Sequence, residues 1–149
     1  MSPIRHVTSL AAALVVLACG RVHAEGQVDP ATLYTLSTTG SSAQVKAGAP
    51  GVFVLSIQSK PGAHVSDEAP LKLELKGAGV ALTQQKLALK DSVAKKTPGQ
   101  AYADPRFEVS FKADAAGKGS VEAKLTFFIC SEQLCARQQK TVSVPVEVL

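Results

Sequence analysis

From residue 53 onward, apolar and polar residues alternate one by one through most of the chain. Phe53, Leu55 and Ile57 alternate with Val54, Ser56 and Gln58. Leu71, Leu73 and Leu75 alternate with Lys72, Glu74 and Lys76. Phe107, Val109 and Phe111 alternate with Glu108, Ser110 and Lys112. Val121, Ala123, Leu125, Phe127 and Ile129 form the longest series, interleaved with Glu122, Lys124, Thr126 and Phe128. Val142, Val144, Val146 and Val148 close the chain around Ser143, Pro145 and Glu147. An extended strand points successive side chains to opposite faces, so each run predicts a strand with one dry and one wet face.

Turn-forming clusters punctuate these runs. They are Ala49-Pro50-Gly51, Lys60-Pro61-Gly62, Lys76-Gly77-Ala78-Gly79, Thr97-Pro98-Gly99 and Ala116-Gly117-Lys118-Gly119, the last read as a hairpin turn. Shorter strands are predicted at 33–37, 43–46, 80–82 and 86–89. The pattern predicts an all-β, immunoglobulin-like β-sandwich of about seven to nine strands. Pro145 removes a ladder donor, which places the last strand at a sheet edge or gives it a bulge. Residues 91–105 form the longest stretch without pattern, a candidate functional loop. Residues 25–40 read as a lead-in and first strand, and 41–149 as the body of the domain.

The chain has 149 residues, 46% hydrophobic and 19% charged, enough for one globular domain. Aromatics are 5% and Trp is absent, so the core must come from aliphatic residues and a few Phe. The net charge is +4, of which Arg5 and Arg21 supply two in the leader described next, leaving +2 for the rest. That charge, scattered over single and paired lysines, argues against nucleic acid as a partner.

Residues 1–24 resemble a secretion signal. Arg5 gives a positive start, and Val7 to Ala18 is an uncharged, largely apolar run, too short to span a bilayer as a helix. Val22-His23-Ala24 is a small-residue cleavage site that would release a protein starting at Glu25. Val16-Leu17-Ala18-Cys19 is similar to a bacterial lipobox, which would instead put a lipid on Cys19. The length from Gly20 to Ala24 favours the first, and Leu17 is unusual at its lipobox position. Either way the domain is expected outside the cytoplasm: periplasmic or secreted, and membrane-bound only as an outer-membrane lipoprotein acylated at Cys19.

Beyond the leader the chain has two cysteines, Cys130 and Cys135, separated by Ser131-Glu132-Gln133-Leu134. In an oxidising compartment such a close pair is expected to bond. As a staple it would do little, since closing a loop of about six residues removes roughly 2 kcal/mol of unfolded-state entropy. Strand parity puts Ile129 on the core face and Cys130 on the other, with Thr126 and Phe128. That placement predicts an accessible bond, and accessible disulfides are more often the exchangeable ones. On the residues alone, exchange, structural bracing and metal binding all stay open.

The segment from Phe127 to Cys135, followed by Lys140-Thr141-Val142-Ser143-Val144-Pro145-Val146, resembles the amino-terminal periplasmic domain of DsbD, the bacterial thiol:disulfide interchange protein. Lys60-Pro61-Gly62-Ala63-His64-Val65 and Tyr102-Ala103-Asp104 are similar to further family segments. The resemblance implies an immunoglobulin-like sandwich and Cys130 and Cys135 as the exchanging pair. It places Cys135, the cysteine nearer the carboxyl end, in the mixed-disulfide intermediate. It further implies partners among thioredoxin-like or DsbD-type periplasmic redox proteins, with electrons supplied by a separate membrane reductant. The family's aromatic cap over the disulfide has its nearest counterpart in Tyr102.

Other chemistry is sparse. His64, the one histidine after the leader, is a candidate for tuning a thiol or, with the cysteines, for holding a metal; as a turn residue it equally reads as plain surface. Glu132, between the cysteines, is a candidate for raising a thiol pKa or accepting a proton, or an inert hairpin tip. Asp67 and Glu68 read as a solvated turn. No cofactor or resident metal is predicted, and there is neither a nucleophile-elbow motif nor a phosphate loop. Two function classes follow: a thiol–disulfide exchange domain, or a non-catalytic exported β-sandwich binding or assembly module with a structural disulfide.

Overall fold

The computed structural model describes residues 26–149. The leader and its Cys19 lie outside the described residues. The described chain is an immunoglobulin-like β-sandwich of ten strands and two 3₁₀ turns. The strands are β1 Tyr34–Ser37, β2 Gln44–Val45, β3 Pro50–Ser59, β4 His64–Val65, β5 Lys72–Ala78, β6 Ala81–Leu82, β7 Lys86–Ala88, β8 Arg106–Lys112, β9 Gly117–Cys130 and β10 Cys135–Val148. One sheet has the order β1-β3-β8-β6; the other runs β2-β10-β9-β5-β7, with β4 also paired to β9.

The alternating residues meet between the sheets. Phe53, Leu55 and Ile57 of β3 and Phe107, Val109 and Phe111 of β8 are buried against Leu73, Leu75 and the odd residues of β9 from Val121 to Ile129. Each of these large apolar side chains, fully removed from water, contributes roughly 1.5–3 kcal/mol, which is what drives the two sheets together. The off-core Val54 is buried from the outside. There Ser41 Oγ accepts the Val54 N–H at 2.8 Å, and Gly40, at φ +98, brings the backbone over the valine. Residues 41–45 then cross from β3 to β10, joining the two sheets at that end.

Nine of the ten strands coincide with predicted runs, but the count exceeds seven to nine. The additional strand is β4, two residues that pair His64 with Cys130 and Val65 with Ile129. Gly117-Lys118-Gly119 is not a hairpin turn: Gly117 begins β9, and residues 113–116 carry the chain from one sheet to the other. The last strand also starts seven residues earlier than its alternation, at Cys135 rather than Val142.

β10 pairs with β9 along its whole length, from Cys135↔Cys130 to Val148↔Gly117. On its other side β2 covers only Glu147 and Val148. Pro145 therefore sits in an edge strand, as its missing N–H requires. Residues 92–105 form an irregular crossing from β7 to β8. It is tied down by the Val93 N–H to the Arg106 carbonyl at 2.8 Å and by the Ser59 N–H to Asp104 Oδ1 at 3.2 Å. No helix among the described residues is long and apolar enough to cross a membrane.

Candidate functional site

The β9–β10 hairpin turns through Glu132-Gln133. Ser131 donates its N–H to the Leu134 carbonyl at 2.7 Å, and Ser131 Oγ accepts the Gln133 N–H at 3.2 Å. In an antiparallel ladder, hydrogen-bonded pairs alternate with closer, non-hydrogen-bonded ones. Ser131–Leu134 is a bonded pair, so the next pair, Cys130–Cys135, is of the closer kind, with Cα atoms 4.0 Å apart. The two sulfurs are joined in a disulfide.

The two halves of the bond differ in exposure. Cys130 is only 5% exposed, whereas Cys135 is open to solvent. Accessibility is therefore confined to one sulfur, not shared by the pair as parity alone predicts. Cys130 has the right parity for the outer face and lies outside the main core cluster. It is covered because β4 flanks β9 there, with His64 directly opposite. Cys135, on the edge strand, has no such neighbour among the described residues.

His64 and Tyr102, far apart in sequence, come together. Their rings stack at 3.6 Å between centroids with an interplanar angle of 11°. Tyr102 is 42% exposed, and Lys96 Nζ lies 6.0 Å from its ring centre while also reaching Asp67 Oδ2 at 3.7 Å. Asp67 and Glu68 are exposed in a bend, as expected of a solvated turn, and Asp67 meets Lys96 of the 92–105 crossing only at the surface. A recess of about 280 Å³ beside the stack is lined by Ser59, Ala63, His64, Gln100, Tyr102 and Asp104. The stack is one strand removed from the disulfide, through the His64↔Cys130 pairing. Glu132 is exposed at the hairpin tip, across a recess from Pro61-Gly62.

Two features were not legible as site residues. Tyr34 packs edge-on against Phe127 at 4.9 Å and donates its hydroxyl to Gln138 Oε1 at 3.1 Å. It ties β1 to the strands carrying both cysteines. Burial, then the nearby Asp29 carboxylate, raises its pKa above the usual 10.0. The second feature is a shallow cleft of about 150 Å³ on the outer sheet face, lined by Pro70, Lys72, Thr126, Phe128 and Arg137. Its Phe128↔Arg137 pair lies two residues along the strands from Cys130↔Cys135. The half-buried Phe128 in an otherwise polar row is the sequence signal that could have marked it. Among the described residues no group of three or more His, Cys, Asp or Glu is arranged to hold a metal ion.

No family model and no curated protein matches this chain. Solved structures similar to it include domains 4 and 5 of the S-layer protein SbsC, at 13% identity and TM-score 0.40 over 77% of this chain and 51% of that one. This chain thus spans about half the length of that structure. A cohesin module from a Clostridium perfringens family 33 glycoside hydrolase is 8% identical, with TM-score 0.42 over 78% of this chain and 98% of its own. AggA, the major subunit of aggregative adherence fimbriae type I from Escherichia coli, is 17% identical, with TM-score 0.39 over 78% and 94%. Likenesses this distant assign no function.

Proposed function

We propose that this β-sandwich is an exported module that exchanges its Cys130–Cys135 disulfide with thiols of partner proteins. The observation that carries the reading is the one-sided exposure of the bond, with Cys135 in solvent and Cys130 covered. A bond between two directly opposed residues at the end of a fourteen-residue strand adds little to a hairpin already held by its ladder. The sequence resemblance to the amino-terminal domain of DsbD points the same way.

A partner thiolate attacks Cys135 Sγ, the Cys130–Cys135 bond breaks, and Cys130 Sγ leaves as a thiolate and takes up a proton. A second partner thiolate then attacks the partner's own sulfur in the mixed disulfide and releases Cys135. Two electrons and two protons have passed to this chain, and the partner dithiol has become a disulfide. The reverse sequence reduces a partner disulfide, which is the direction in which a membrane reductant would supply clients.

The test is transfer itself. The oxidised protein is mixed with a reduced thioredoxin-like protein, quenched in acid, and its free thiols counted. Transfer of both electrons within minutes supports the reading; no transfer over hours removes it. The burial of Cys130 favours a second reading, a non-catalytic exported binding or assembly module whose disulfide braces the hairpin tip. That reading expects a bond that small thiols do not open in the folded protein.

A further inference from the structure

The alternation that places Cys130–Cys135 also fixes which backbone groups of β10 face outward. Ser131–Leu134 is a hydrogen-bonded pair, so the even residues of β10 bond to β9 and the odd ones turn their N–H and C=O groups away. The far end agrees: the Glu147 N–H, an odd position, donates outward to the Ala43 carbonyl at 2.8 Å. Between Cys135 and Pro145 the outward groups belong to Arg137, Gln139, Thr141 and Ser143. Among the described residues none of their N–H groups has a backbone partner on that side. All four residues are exposed. An unpaired edge of this length is a template for an added strand.

The edge is not indifferent to what it pairs with. Arg137 and Lys140 are exposed cations on it, and Pro145 blocks its far end. Such residues discourage unselected edge pairing. On the outer sheet face, Arg137 and Lys72 line the cleft over Phe128, next to the disulfide. An extended segment with acidic side chains is the occupant whose charge complements these cations. The chemistry of exchange favours the same line of approach. Cys130 Sγ, the leaving sulfur, belongs to β9, so a thiolate attacking in line with the S–S bond arrives from the side away from β9.

Resting on the exchange reading, we infer that the open edge of β10 is the docking line for the thiol partner. An extended acidic segment of the partner adds as a strand, sets its cysteine opposite Cys135 and places an acidic residue, two positions away, against Arg137. Side chains two apart in a strand share a face, which is why the spacing is two and not one or three.

The experiment uses the full oxidised protein and ten-residue peptides with a single cysteine. One peptide carries Glu two positions from the cysteine, a second carries Lys there, and a third repeats the Glu sequence with alternate backbone nitrogens methylated. Mixed-disulfide formation is followed by intact mass, with dithiothreitol as a small thiol reference. The Glu peptide is expected to react about three- to tenfold faster than the Lys peptide at low salt. N-methylation should abolish that advantage, and Arg137→Glu should reverse the preference when each peptide's rate is taken relative to dithiothreitol on the same variant. Hydrogen exchange on the trapped Glu-peptide complex should show new protection at the amides of residues 137, 139, 141 and 143. If dithiothreitol reduces the bond but neither peptide charge nor N-methylation alters the rate, or the odd amides gain no protection, the docking line is wrong and exchange itself stands. If no thiol opens the bond, both fall.

Discussion

Reducing the Cys130–Cys135 bond should leave the sandwich folded. Opening a loop of about six residues returns roughly 2 kcal/mol of entropy to the unfolded chain. The native side loses little, because Ser131–Leu134 and the rest of the β9–β10 ladder hold the same residues together. A domain of this size has about 5–15 kcal/mol in hand. The perturbation is reduction of the purified protein with excess dithiothreitol, and the assay is urea unfolding of both forms followed by far-ultraviolet circular dichroism. With a slope of about 1–2 kcal/mol per molar urea, the midpoint should fall by roughly 1–2 M with one cooperative transition retained. Loss of more than about 4 kcal/mol, or an unfolded reduced form, would refute the reasoning. The bond would then be a brace on which the fold depends.

In Cys130→Ser the remaining thiol, Cys135, is exposed, and it should react with an aromatic disulfide reagent at least about tenfold faster than the remaining Cys130 thiol of Cys135→Ser. Stopped-flow absorbance measures both rates. Tyr34→Phe should cost about 1 kcal/mol by leaving Gln138 Oε1 without its donor, measured by urea unfolding. The raised pKa of Tyr34 stabilises the native state below pH 10.0, and this contribution is lost as pH rises above that value. Stability should therefore decline from about pH 10 upward, and Tyr34→Phe should flatten that decline. Phe107→Ala, which empties a site in the middle of the core, should cost about 3–5 kcal/mol in the same assay.

The fold was legible because its core strands are wet on one face and dry on the other. β3, β5, β8 and β9 each form over their alternating runs, but β3 begins earlier, at Pro50, β9 begins earlier, at Gly117, and β5 runs on through Gly77-Ala78, where the residues read as turns. β4 escaped notice because two residues cannot display a period; His64-Val65 is a strand only because β9 offers it an edge. The first half of β10 escaped for a different reason. Ala136 to Thr141 is mostly polar because the strand lies on an open edge and buries little of itself, so tertiary pairing rather than pattern makes it extended. Gly117-Lys118-Gly119 carries turn chemistry, yet its pairing with β10 draws it into β9.

For the candidate site, the sequence supplied the cysteines and the parity of Cys130 but not the shielding of that residue. Shielding depends on β4, the element the pattern could not predict. The meeting of His64 and Tyr102 depends on how residues 92–105 cross between the sheets, which no local signal encodes. Arg137 and Lys72 read as scattered surface charge until the register places them around Phe128.

Cycling of the Cys130–Cys135 bond is tested most directly by the reduction potential of the purified protein, equilibrated against glutathione and thioredoxin buffers and read by thiol trapping and mass. A value between roughly −120 and −270 mV, the span of known exchange proteins, is the expected result. A value below about −300 mV would mark a bond that cellular thiols scarcely open, and would contradict the account.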